Sequence, residues 1–183
     1  MAKIDEFVEA VQDHDRGGFV THYPHPFLLL FLEAEESRGE WSFKTTTISS
    51  KKINMARMLD ENGLALTKDS DRYRIFGVVK SAGNPWQERI SIGRARNNDI
   101  VLPHKSVSKL HAHFVQDPKG LHLADAGSRN GTRINDRKIS SGKLEKPVPG
   151  DEITFGGITL KLVEPGELYD LVQKHLKPRG DAG

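Results

Sequence analysis

Cysteine is absent from the 183-residue sequence, which excludes disulfide scaffolds, thiolate zinc sites and cysteine nucleophiles. Long apolar runs are also missing. The longest run, Phe27–Leu32, is far shorter than the ~20 residues of a membrane-spanning helix. The chain starts with Met-Ala-Lys-Ile-Asp-Glu, which is acidic where a signal peptide is basic and then apolar. We therefore expect a cytoplasmic protein.

The net charge is small, +2, but its distribution along the chain is uneven. The segment from Arg89 to Arg137 holds nine Lys and Arg residues and four Asp residues, a net charge of +5. A basic segment in an otherwise slightly acidic chain indicates an anionic partner. A solvated face with scattered cations is the alternative interpretation.

Residues 1–69 have a mixed helical and extended character. Apolar residues at i, i+3, i+4 and i+7 from Ile4 predict an amphipathic helix that ends near Gly17-Gly18. Phe27–Leu32 is a candidate buried strand, and the patterns of residues 41–48 and 50–59 predict a strand and a helix. We expect a small α+β N-terminal extension, which either folds alone or packs against the rest of the chain.

From Tyr73 onward the pattern changes to short apolar runs separated by turn residues. Eight such runs predict strands: Tyr73–Lys80, Arg89–Ile92, Ile100–Leu102, Ala112–Gln116, Leu121–Ala124, Thr132–Ile134, Glu152–Phe155 and Ile158–Val163. Closely spaced strands without long helices between them indicate an all-β sandwich or barrel over residues 70–165. The spacing of Leu168, Leu171 and Val172 then predicts a helix, followed by a tail, in residues 166–183.

Three polar loops separate these predicted strands, at Gly93-Arg94, Ser106–His111 and Ser128–Asn135. Loops cluster at the ends of a sandwich, so we expect the three to converge. Together they would present an arginine fork, serine hydroxyls, an ammonium group and an asparagine amide, with no carboxylate base. Such a set suits an anion with several acceptor oxygens, and phosphate fits best.

The same blocks resemble the forkhead-associated (FHA) domain over about half of the chain, residues 72–164. They are Ile92-Gly93-Arg94, Asn98-Asp99-Ile100, Val107–His111, Ser128–Thr132 and Asn135, in that order. The resemblance implies a mainly β fold, a sandwich of about eleven strands that binds phosphothreonine peptides through loops at one end. The implied partners are a phosphothreonine-containing protein or peptide and a Ser/Thr protein kinase. For this chain itself, the resemblance implies no catalytic activity and no cofactor.

Residue by residue, the resemblance implies roles for five side chains. Arg94 holds the phosphate, Ser108 donates its hydroxyl, and Lys109 supplies a point charge where the family usually has arginine. Arg129 and Asn130 match the pair beside the bound peptide, with Asn130 contacting the peptide backbone. The residues that would shape the loops without touching the ligand are Gly93, His111, Gly131 and Asn135.

Other functions stay open at this point. A phosphate-independent scaffold would use the same sandwich to dock an unmodified protein. An enzyme in the N-terminal unit lacks support, because the sequence has no phosphate-cradling glycine loop, nucleophile elbow or zinc helix motif. Nucleic-acid binding also lacks support, because the basic segment has no aromatic residue for base stacking apart from Phe114. His14, His22 and His25 lack a metal-ligand spacing, so no metal is predicted.

Thr45, Thr46 and Thr47 lie next to Lys44 in the N-terminal segment and are candidate phosphoacceptors. The resemblance then suggests that the chain's own FHA site binds the modified threonine. The alternative is that these β-branched residues simply form a strand.

Overall fold

The computed structural model describes residues 2–32 and 72–176, apart from residues 83, 85 and 87. The helical elements in this part of the chain are a 3-10 turn Ile4–Phe7 and the helices α1 Val8–Asp13, α2 Arg16–His22 and α3 Pro165–Leu176. The strands are β1 Phe27–Phe31, β2 Tyr73–Gly77, β3 Ile90–Gly93, β4 Ile100–Val101, β5 Ala112–Asp117, β6 Gly120–Asp125, β7 Thr132–Ile134, β8 Arg137–Lys138, β9 Glu152–Phe155 and β10 Ile158–Val163.

The ten described strands form two sheets. One has six strands in the order β2-β1-β10-β9-β7-β8, and the other has four in the order β4-β3-β5-β6. Neighbouring strands are antiparallel except β3 and β4, which are parallel. The prediction of a mainly β fold with a C-terminal helix is confirmed, and the strand count is close to the expected number.

Strand β1 lies inside the larger sheet, between β2 and β10. Its five residues are all buried because both faces of the sheet are covered. Leu28 and Leu30 belong to the core between the two sheets, whereas Phe27, Leu29 and Phe31 belong to a second core beneath the helices. The boundary expected near residue 70 thus falls between two paired strands, and residues 2–32 pack against β2, β10 and α3.

The prediction of one helix that ends near Gly17-Gly18 is wrong about where the helix ends. Helix α1 ends at Asp13, and α2 runs through both glycines. The Asp15 carboxylate accepts a hydrogen bond from the Gly18 N–H at 2.7 Å and so caps α2. This cap satisfies an N–H that no carbonyl of the helix can reach, and it lets a new helix begin before two poor helix formers.

The helices cover one face of the six-stranded sheet. Phe7 and Phe19 from the N-terminal segment share the second core with Leu168 and Val172 of α3. Helix α3 begins at Pro165, where the missing N–H of proline costs nothing. None of the described helices has both the length and the apolar character needed to cross a membrane.

The strand predicted over residues 41–48, the helix predicted over residues 50–59 and the three candidate phosphoacceptor threonines lie outside the described residues. Leu32 and Arg72, the described residues on either side of residues 33–71, lie next to each other. Leu32 and Arg72 are joined by two hydrogen bonds, from Leu32 N to the Arg72 carbonyl at 2.8 Å and from Arg72 Nε to the Leu32 carbonyl at 3.0 Å. Because Leu29 pairs with Lys161, β1 runs toward the first residue of β10 and the β9–β10 turn.

Candidate functional site

Three loops meet beside β3 and β5: the first loop, residues 94–99, the second loop, residues 102–111, and the third loop, residues 126–131. Backbone hydrogen bonds join them. Arg94 N donates to the Ser108 carbonyl at 2.9 Å, and Ala126 N donates to the His111 carbonyl at 2.9 Å. The structure therefore confirms the predicted convergence of the polar loops at the end of the sandwich.

Arg94 is exposed at the start of the first loop. Its Nε donates to the Val107 carbonyl at 3.2 Å, which holds the guanidinium against the second loop and leaves its two terminal nitrogens available. Lys109 and Arg129 are exposed on the second and third loops. In the described part of the chain, no carboxylate forms an ion pair with any of these three cations.

Ser108 and His111 connect the second and third loops. The Ser108 N–H donates to His111 Nδ1 at 3.0 Å, so this nitrogen is an acceptor and the proton of the neutral ring lies on Nε2. Nε2 then donates to the Gly131 carbonyl at 3.2 Å. Burial lowers the pKa of His111, against the opposing effects of the Gly131 carbonyl and Asp125. A neutral, fully buried imidazole thus fixes both loops.

The Ser108 hydroxyl is oriented by the third loop. Its Oγ accepts a hydrogen bond from the Arg129 N–H at 3.1 Å. Because that bond occupies a lone pair, the hydroxyl proton points elsewhere and can be donated to a ligand oxygen.

Asn130 is exposed, and its side-chain amide bridges the second and third loops. Nδ2 donates to the Ser106 carbonyl at 2.7 Å. The Ser106 hydroxyl in turn accepts from the Gly157 N–H at 2.8 Å, which ties the β9–β10 turn to the second loop. The amide oxygen and the second amide proton of Asn130 are left for other partners.

Both glycines among the predicted loop-shaping residues are favoured by the geometry. A Cβ on Gly93 would overlap the Lys109 carbonyl oxygen, so only glycine lets the first and second loops approach this closely. Gly131 has a φ of +78°, a left-handed conformation that favours glycine after Asn130.

Asn135 is not part of the three loops. It lies in the β7–β8 turn with a φ of +48°. Its Oδ1 accepts from the Glu152 N–H at 2.9 Å. The structure thus separates Asn135 from the other predicted loop-shaping residues, because β7 carries the chain away from the third loop before the turn.

Buried carboxylates support the loops, and their role was not predicted. The Asp99 side chain is fully buried, and it accepts from the Ser81 and Ser91 N–H groups at 2.8 and 2.7 Å while pairing with Lys80 at 3.2 Å. Burial would raise the pKa of Asp99, but these donors hold it well below its usual range. The only sequence signal was the position of Asp99 in the Asn98-Asp99-Ile100 block.

Asp125 has the same function in the third loop. Its carboxylate accepts from the Ser128 hydroxyl at 2.6 Å, the Thr132 hydroxyl at 2.7 Å and the Gly127 N–H at 2.9 Å. Burial opposes ionisation, but these hydrogen bonds lower the pKa of Asp125 overall. The loop that carries Arg129 and Asn130 is therefore held from inside.

The family model described as the FHA domain matches residues 90–156, a range that contains all three loops. These residues form an FHA domain. Strands β1, β2 and β10 lie outside the matched range, but they form half of the six-stranded sheet of the sandwich.

Curated relatives match a stretch of the chain of similar length. An ABC transporter ATP-binding/permease protein of Mycobacterium tuberculosis is 39% identical over 71 residues, which are 39% of this chain and 8% of that protein. The glycogen accumulation regulator GarA of M. tuberculosis is 36% identical over 70 residues, 38% of this chain and 41% of that protein. The chain therefore spans less than half the length of these two curated relatives.

Among solved structures, one from a study of phosphothreonine-dependent FHA domain interactions is 24% identical, with a TM-score of 0.41. The match covers 49% of this chain and 83% of that one.

Proposed function

We propose that this FHA domain is a phosphothreonine-dependent protein-binding module that acts downstream of a Ser/Thr kinase and has no catalytic activity of its own. The observation that carries the proposal is the set of exposed cations on adjoining loops, Arg94, Lys109 and Arg129. None of them is neutralised by a described carboxylate, and the Ser108 hydroxyl, next to Lys109 in the chain, accepts from the Arg129 N–H. A relative named as a regulator supports a signalling role.

A phosphate group fits this set of donors. It brings about −1.5 to −2 charges and three acceptor oxygens. The Arg94 guanidinium can bind two of those oxygens. The Ser108 hydroxyl and the Lys109 ammonium can both donate to the third phosphate oxygen. Hydrogen bonds to charged groups contribute about 1.5–3 kcal/mol each, so two or three of them, together with modest peptide contacts, give an affinity on the order of micromolar. Such affinity suits a reversible signalling partner.

The test begins with a phosphothreonine peptide library screened against the full chain, together with the unphosphorylated form of each peptide that binds. We expect Arg94→Ala to weaken the best peptide about 30- to 150-fold, since it removes about 2–3 kcal/mol of charge-assisted hydrogen bonding. Arg96→Ala is the matched control, because it removes an exposed cation from the same loop and should retain most of the affinity.

Two results would contradict this proposal. Unchanged affinity in Arg94→Ala would show that the phosphate binds elsewhere. Equal affinity for the phosphorylated and unphosphorylated forms would instead favour a phosphate-independent docking module.

A further inference from the structure

A groove of about 370 Å³ lies next to the second loop, on the outer face of the four-stranded sheet. The register shows which face this is. Ile92, Ala112 and Phe114 face the core between the sheets, whereas the paired residues Ser91 and His113 alternate with them and face outward into the groove.

Two large apolar side chains line this groove, and both are exposed. Trp86, in the loop between β2 and β3, is 61% exposed, and Leu110, just before β5, is 48% exposed. Burial of a Trp and a Leu on a partner is a large source of binding energy, and exposed tryptophans are enriched at the centres of protein interfaces.

Described residues of the β2–β3 loop make polar contacts with the backbone of Trp86 and with the residues beneath it. Asn84 is 7% exposed, and its Nδ2 donates to the Ser91 hydroxyl at 2.7 Å and to the Asp99 carboxylate. The Asn84 Oδ1 accepts from the Trp86 N–H at 3.0 Å. The Trp86 carbonyl then accepts from Arg89 N at 3.2 Å. The backbone N–H and carbonyl of Trp86 are thus both hydrogen-bonded, which lowers the entropy cost of holding this residue against a partner.

The charge of the groove is positive. Arg89 and Lys109 line it, and no carboxylate is among the described lining residues. Asp99 lies beneath the groove, but its side chain is fully buried and paired with Lys80. A partner segment that complements this lining carries carboxylates around an apolar side chain. Lys109 belongs both to the groove and to the proposed phosphate site, so one peptide can reach both.

We infer that this groove is a second binding site for the phosphorylated partner, and that it takes an aromatic or aliphatic side chain flanked by carboxylates. The inference rests on the proposed function, because Lys109 connects the groove to the phosphate loops. The phosphate then selects the modified state, while the groove selects among phosphorylated partners.

The probes are phosphothreonine peptides that carry an Asp-Phe-Asp block about two to seven residues before or after the phosphothreonine. At about 3.3 Å per residue, this series samples separations of roughly 7–23 Å. Peptides with Asp-Ala-Asp or Lys-Phe-Lys blocks at the same spacings, and unphosphorylated copies, are the controls. Affinities for the full chain are measured by fluorescence anisotropy. At one or more spacings, we expect Asp-Phe-Asp to bind about tenfold more tightly than either control block.

Protein variants test whether the groove causes the higher affinity for Asp-Phe-Asp peptides. Trp86→Ala and Leu110→Ala should each remove most of it and leave the affinity for Asp-Ala-Asp peptides unchanged. Leu144→Ala is the matched control, because Leu144 is 50% exposed and lies outside the groove, so this variant should keep the gain.

The outcomes separate the two proposals. Phosphate-dependent binding without any gain from Asp-Phe-Asp, or a gain that survives both groove variants, overturns the inference alone. If no peptide binds better when phosphorylated, the proposed function fails and this inference fails with it.

Discussion

Asp99→Asn is a sharp test of the buried network beneath the loops. The Asp99 carboxylate meets only donors, and its two oxygens accept from different backbone groups: Oδ1 from the Ser81 N–H at 2.8 Å and Oδ2 from the Ser91 N–H at 2.7 Å. Asparagine offers one oxygen and one amino group in nearly the same volume. Whichever way the amide turns, its N–H₂ faces a backbone N–H that cannot rotate away.

The expected loss of stability follows from these contacts. Each hydrogen bond to a charged group contributes about 1.5–3 kcal/mol, and removal of one partner of a buried ion pair costs about 3–5 kcal/mol. We therefore expect Asp99→Asn to lower the free energy of unfolding by about 3–5 kcal/mol. For a domain of this size that corresponds to a fall in Tm of about 6–20 °C.

Thermal unfolding of the full chain at pH 7, followed by circular dichroism, measures this fall. Asp170→Asn is the control, because Asp170 and its partner Arg16 are both more than half exposed and such pairs contribute about 1 kcal/mol or less. A Tm for Asp99→Asn within the shift of this control would refute the reasoning.

The pH dependence gives Asp99 a second signature. Its pKa is lower in the folded chain than in the unfolded chain, so its stabilisation is complete above the unfolded pKa and is lost as the pH falls below it. The difference in stability between the wild type and Asp99→Asn should therefore shrink below about pH 4. A constant difference would contradict the assignment.

Three further predictions concern the site. Because burial lowers the pKa of His111, its stabilisation is complete above about pH 6.5 and is lost as the pH falls through the lower folded value. The free energy of unfolding should therefore fall between pH 7 and 5, less steeply in His111→Gln; equal slopes would contradict this. Matched phosphothreonine and phosphoserine peptides should differ by about 10- to 200-fold if the turn at Asn130 and Gly131 encloses the methyl group, and equal affinities would refute that pocket. A kinase that modifies Thr45, Thr46 or Thr47 should weaken binding of an external phosphopeptide, because a tethered ligand reaches roughly millimolar effective concentration. Binding that is unaffected after mass spectrometry confirms the modification would refute this switch.

The sequence alone predicted the local features of this protein. Alternating apolar residues and turn residues report on strands and their ends, because side chains in a strand repeat every two residues. The eight patterns from Tyr73 onward therefore predicted the positions of eight strands to within a few residues, although they missed the two-residue strand β8. Arg94, Ser108 and Asn130 were placed in loops because each lies in a polar block between such patterns.

Only the tertiary structure decided which distant segments meet. The position of β1 between β2 and β10 in the larger sheet is set by its pairing with both strands, and an apolar run does not encode its neighbours. The donors around Asp99 and the groove between Trp86 and Leu110 likewise combine residues from separate loops. Burial, hydrogen-bond satisfaction and charge balance are properties of such assembled neighbourhoods. They exist only after the chain has brought those segments together.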